Sequence, residues 1–116
     1  GRMIGGCLES LAFINGSELW PDVSIWDEAI LFLETSEEGI APFVVTRFMT
    51  NLAAQNILKR LNGIFFSKPG GKHMTADQFP QYDQALLNIF NEYDLPNIPI
   101  VTGMDFGHSD PIWTLP

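Results

Sequence analysis

The sequence predicts an α/β domain: a small, largely parallel or mixed sheet with helices packed against it. Three observations carry this. Short apolar runs bounded by turn residues recur at Ile30–Leu33, Ile64–Phe66 and Ile98–Val101, the pattern of buried strands. Two longer segments between them place apolar residues at helical spacing. The two periods alternate along the chain, as they do in parallel crossover units.

A chain of 116 residues fits one domain and is long enough to bury a core. With 46% hydrophobic and 17% charged residues, it does not have the composition of a disordered segment. No apolar run reaches the length of a bilayer span, and no basic amphipathic stretch suggests a membrane surface. Fourteen acids against six bases give a formal charge of −8, which argues against a nucleic-acid partner, since phosphate contacts need a basic footprint. The single cysteine, Cys7, excludes an internal disulfide framework and is compatible with a cytoplasmic setting.

The elements follow in order. Arg2–Gly6 reads as a short strand entering a glycine turn, and Cys7–Phe13 as one or two helical turns, with Leu8, Leu11 and Ala12 on one side. Asn15–Pro21 is turn-like; Trp20 and Trp26 in this connector either cover a pocket or pack the loop onto the domain. After the Ile30–Leu33 strand, Thr35–Gly39 forms a loop, and Pro42 suits the first turn of a helix. Phe43–Arg60 reads as one long amphipathic helix, with Lys59 and Arg60 at its C-terminal end in keeping with the dipole. Ser67–Met74 is a glycine- and proline-rich loop carrying two lysines and His73. Thr75 with Gln78 makes a capping box for a helix whose core face holds Phe79, Tyr82, Leu86 and Phe90, widened by Leu87 and Tyr93. The last loop runs through Asp105, Gly107, His108 and Asp110, and Ile112–Leu115 can begin another strand.

Two side chains stand out as chemistry. Glu34 ends an apolar run, the strand mouth where open α/β sheets place their sites. It can serve as a general acid, orient a histidine, or be a solvated strand-end carboxylate. His108 lies in a glycine-flanked, acid-flanked loop after a buried strand. An imidazole there can move a proton between a hydroxyl and a leaving group, or hold its loop by a hydrogen bond. Metal-ligand spacing is absent, phosphate-loop and dinucleotide fingerprints are absent, and Cys7 beside an apolar strand reads as packing.

Three blocks carry a resemblance: GGCLESL at Gly5–Leu11, ILFLETSEE at Ile30–Glu38 and IPIVTGMDFGHSDPIWTLP at Ile98–Pro116. Together they resemble the C-terminal domain of the murein LD-carboxypeptidases. Cys7-Leu8-Glu9 and Glu34-Thr35-Ser36-Glu37 resemble, more narrowly, the branch that contains the microcin C immunity peptidases. The resemblance implies a swivelling β/β/α-type domain. Residues 1–116 would be the C-terminal catalytic half of a two-domain cytoplasmic serine peptidase, truncated at both ends. It further implies a Ser–His–Glu triad in which this chain gives His108 as base and Glu34 as its orienter, while an N-terminal domain of the same polypeptide gives the serine and oxyanion amides. No serine here matches the nucleophile block, so the chain alone is expected to be inactive.

The substrate so implied is an aminoacyl-nucleotide of the microcin C kind, or alternatively a murein tetrapeptide. Glu9 and Trp20 are candidate substrate contacts. Neither a metal nor an organic cofactor is implied, and a homodimer of the whole protein is. Two readings remain outside catalysis: a ligand-binding module that uses the same groove without turnover, and a protein-interaction domain.

Overall fold

The computed structural model of the chain describes residues 1–109, 112 and 114. Four strands, β1 (Met3–Cys7), β2 (Ile30–Glu34), β3 (Gly63–Ser67) and β4 (Ile100–Met104), form one sheet in the order β1-β2-β3-β4. Every neighbouring pair is parallel, with Cys7 opposite Glu34 and Ser67 opposite Met104, so all four strands end at one rim. Three α-helices occupy the crossovers: α1 (Leu8–Ile14), α2 (Pro42–Ala54) and α3 (Phe79–Glu92). Crossovers of one hand between successively added strands put their helices on one face. Leu31, Leu33, Ile64 and Phe66 from that face share a core with Val45, Phe48, Met49 and Leu52 of α2 and Tyr82, Leu86 and Ile89 of α3.

The opposite face is only partly covered among the described residues. Phe32 and Phe65 pair across β2 and β3 there, and Phe106, itself 4% exposed, packs edge-on against Phe32 at 6.3 Å. Phe106 thereby pulls the chain leaving β4 back over the sheet, towards the end of β2.

Three expectations need correction. The helix expected over Phe43–Arg60 stops at Ala54. Asn56 takes a left-handed conformation (φ 60°), its amide donates to the Ala53 carbonyl, and the Ile57 amide donates to that of Leu52. Those two bonds are a Schellman motif with asparagine in the left-handed position. Ile57 and Leu58 are fully buried in a separate short turn, Leu58–Arg60, and their hydrophobicity extended the apparent helical period. Lys59 and Arg60 therefore do not cap α2; Arg60 instead pairs with Asp27 at 2.6 Å. On α3, Leu87 and Tyr93 face outward, 39% and 43% exposed, and Ala85 and Ile89 complete the buried stripe. The last strand starts at Ile100 rather than Ile98, because Pro99 has no amide hydrogen to give the ladder. The further strand expected at Ile112–Leu115 falls across positions outside the described residues.

Because Asn56 ends α2 in the left-handed region, Asn56→Gly is expected to keep the urea midpoint of the wild type. Asn56→Val is expected to lower stability by about 1–2 kcal/mol, the cost of forcing a bulky L-residue there.

Candidate functional site

Three loops meet at the C-terminal rim of the sheet: Thr35–Ala41 after β2, Lys68–Thr75 after β3 and Asp105–Ser109 after β4. The first two are tied together from inside. Thr35, 1% exposed, accepts a hydrogen bond on its hydroxyl from the Gly70 amide at 2.8 Å. A Cβ on Gly70 would lie 2.5 Å from the carbonyl oxygens of both Thr35 and Ser36, so this approach needs glycine. The third loop is fixed by the Lys68–Asp105 ion pair and by buried Phe106.

That arrangement brings Glu34 and His108 together, 74 positions apart in sequence. The His108 backbone amide donates to Glu34 Oε2 at 2.9 Å, and ring Nδ1 lies 2.6 Å from the same oxygen. The carboxylate end is enclosed, with Glu34 only 12% exposed, while the ring is 42% exposed. Gly107 makes the approach possible. Its φ is +77°, and a Cβ there would sit 2.0 Å from Glu34 Oε2. The hydrogen bond from Glu34 raises the proton affinity of His108 above that of an ordinary imidazole; desolvation opposes this, and the charges of Glu34, Glu37 and Glu9 add to it.

On the other side of the ring, Nε2 lies 3.1 Å from Glu37 Oε2. Glu9 stands at the same rim, at the start of α1. Its carboxylate accepts from the Ser36 hydroxyl at 2.8 Å, from the Ser36 amide at 3.1 Å and from the Cys7 thiol at 3.3 Å. Burial alone would raise its pKa, but these hydrogen bonds hold it below the usual carboxylate value. Glu9 thus braces the loop that carries Glu37. Cys7 is committed to Glu9 in the same network.

Trp20 is not brought to this rim. Its Nε1 donates to Gln55 at 2.8 Å, at the C-terminal end of α2, and its ring stacks at 5.6 Å on Trp26. Helix α2 runs back from the rim, so that contact lies at the far end of the sheet. His73 lines an adjoining cavity of about 250 Å³ with Lys72, Met74, Tyr82 and Glu37. Among the described residues, no group of three His, Cys, Asp or Glu side chains is placed to hold a metal ion. No described helix is long and apolar enough to cross a membrane.

Sequence reasoning missed Gly107, Gly70 and Thr35 as parts of the site. The glycine immediately before His108 was the one local signal; the Thr35–Gly70 contact joins residues 35 positions apart and left none.

Comparison with known proteins adds four matches. The profile of the LD-carboxypeptidase C-terminal domain family matches residues 1–116. The microcin C7 self-immunity protein MccF of Escherichia coli is 32% identical over 116 residues, which is the whole of this chain and 31% of that protein. Among solved structures, the MccF-like protein from Streptococcus pneumoniae in complex with AMP superposes with a TM-score of 0.76 at 35% identity, over 97% of this chain and 34% of that one. MccF in complex with aspartyl sulfamoyl adenosine superposes at 0.75 with 28% identity, over 100% of this chain and 32% of that one. The chain therefore spans about a third of the length of the relatives it matches.

Two outcomes follow from the geometry. Gly107→Ala is expected to separate Glu34 from His108 while leaving the core intact; an NMR titration should show the His108 midpoint falling back towards about 6.5, with far-UV circular dichroism unchanged. The pair should also register in stability. His108 binds its proton more tightly folded than unfolded, so its contribution is complete below the ordinary imidazole pKa and fades as pH rises through the elevated one. The difference in thermal midpoint between wild type and His108→Gln is therefore expected to be largest near pH 6 and to shrink by pH 9. It should be modest, because the ring is 42% exposed and screened by solvent.

Proposed function

The chain belongs to the LD-carboxypeptidase C-terminal domain family, a peptidase family, and on that premise we propose that it supplies the histidine and glutamate of a Ser–His–Glu hydrolase. The observation that carries this is the 2.6 Å contact between His108 Nδ1 and Glu34 Oε2 at the rim where the strands end. With its proton on Nδ1 donated to Glu34, the neutral ring offers its Nε2 lone pair outward as a base. A serine hydroxyl from an N-terminal domain gives Nε2 its proton and attacks the substrate carbonyl, and the resulting imidazolium is stabilised by Glu34. His108 then returns the proton to the departing amine, and water repeats the cycle to release the acyl group. The oxyanion donors come from that other domain as well.

The hydroxyls of three of the six serines, those at positions 36, 67 and 109, are engaged elsewhere, which supports an external nucleophile. Ser36 Oγ donates to Glu9, Ser67 is 1% exposed with its hydroxyl on the Lys68 carbonyl, and Ser109 donates to the Phe106 carbonyl. The substrate is an amide-linked aminoacyl-nucleotide. Relatives crystallised with AMP and with aspartyl sulfamoyl adenosine favour this over a murein tetrapeptide, and the Cys7–Glu9 and Glu34–Glu38 blocks point the same way. The whole protein acts in the cytoplasm as a homodimer, without a cofactor.

In the full-length protein, His108→Ala and Glu34→Ala are each expected to lower turnover of an aminoacyl sulfamoyl adenosine by about 10²–10⁴-fold, the range a positioned general base supplies, while still melting cooperatively with only the modest change in midpoint expected from loss of the pair. Either variant keeping wild-type turnover would remove the assigned roles. An L,D-tetrapeptide cleaved in preference to the nucleotide would transfer the substrate assignment to murein.

A further inference from the structure

The far side of the His108 ring carries a contact that the triad does not use. Nε2, the atom that must meet the nucleophile, lies 3.1 Å from Glu37 Oε2. With Glu34 on Nδ1, both ring nitrogens face carboxylates. Nδ1 has the hydrogen bond, to Glu34, whereas Glu37 meets Nε2 off the ring N–H direction, so it is the charge of the imidazolium that holds Glu37 there. From this we propose that Glu37 is a protonation-coupled latch: by charge it holds the protonated ring in a resting state, crowds the approach to Nε2 that the serine hydroxyl must use, and lets go when the ring loses its proton. The proposal rests on His108 being the base of the preceding reading.

The release follows from lone pairs. Once neutral, with its proton on Nδ1 for Glu34, the ring presents a lone pair at Nε2 to the lone pairs of a carboxylate. The attraction is gone, and the nitrogen is open to a hydroxyl donor. Glu37 is 73% exposed at its side chain, so leaving requires only a rotamer change. The backbone beneath it is anchored on both sides: Ser36 by Glu9, the Glu38 amide by the Ser36 hydroxyl at 3.2 Å, and Thr35 by Gly70. The latch thus swings on a fixed post.

Among the described residues, the charged groups around the ring are few. Glu34 comes from β2, Glu37 from the loop after it, and Glu9 from α1, all raising its proton affinity. On the β3–β4 side, Lys68 and Asp105 are paired with each other. Lys72 and His73 line a cavity that Glu37 also lines.

The test is Glu37→Gln, with Glu38→Gln as a charge-matched control one position away. Two readouts are needed: the His108 titration by NMR in this chain, and the pH profile of kcat/KM in the full-length protein. The latch predicts that Glu37→Gln weakens His108 proton affinity by roughly two- to five-fold, the range of an exposed ion pair, and that the acid limb of kcat/KM moves to lower pH by the same amount. Glu38→Gln should leave both in place. An unmoved titration in Glu37→Gln, or an equal shift in both variants, overturns the latch. A moved titration without any movement of the acid limb also overturns it as a gate on the reaction. Failure of the triad reading looks different: His108→Ala would keep its turnover whatever Glu37 does to the ring.

Discussion

Two nitrogens of one residue, the backbone amide and the ring Nδ1 of His108, converge on a single carboxylate oxygen of Glu34. This double contact is the constraint around which the rim is arranged. The amide bond fixes where the loop after β4 passes, and the ring bond fixes which way the imidazole points. Neither is available unless the residue before His108 lacks a side chain, since a Cβ on Gly107 would occupy the carboxylate's place. Phe106, anchored on Phe32 across the partly covered face of the sheet, holds the loop against β2. A parallel sheet supplies the rest: it ends every strand on the same side, so residues from β1, β2, β3 and β4 are neighbours at one edge.

Charge explains how the rim works as well as how it is held. Three carboxylates, Glu34, Glu37 and Glu9, lie around one titrating ring in a chain of net charge −8. Such a field would repel a nucleic acid but suits a cationic ring, the species the proposed reaction would form on taking up a serine proton. Glu9 serves this at one remove. Its hydrogen bonds are spent on Ser36 and Cys7, and through them it sets the loop on which Glu37 stands. The same acidic surroundings make the ring hold its proton more tightly, so in the proposed reaction one set of charges would both stabilise the imidazolium and disfavour the neutral base.

Much of the fold was legible because its signals are local. The apolar runs at Ile30–Leu33 and Ile64–Phe66 are strands, the Thr75–Gln78 capping box forms with Gln78 accepting from the Thr75 amide at 2.9 Å, and Pro42 opens α2. The errors share a cause. Ile57 and Leu58 are as hydrophobic as a helical stripe requires, yet they are buried by a chain reversal at Asn56; Leu87 and Tyr93 continue a stripe in sequence that the helix turns outward. Periodicity reports burial and says less about the path. The site was half legible. Glu34 and His108 could be singled out by type and context, whereas the Thr35–Gly70 bond, the place of Glu9 as a brace and the remoteness of Trp20 depend on contacts between distant positions, which no spacing encodes.

The central claim is that Glu34 fixes the proton of neutral His108 on Nδ1, leaving Nε2 as the base. A long-range proton–nitrogen correlation spectrum of the ring, recorded above its titration midpoint, reads this directly. The account predicts a protonated, pyrrole-type Nδ1 and an unprotonated, pyridine-type Nε2. A proton residing on Nε2, or rapid exchange between the two tautomers, would contradict it.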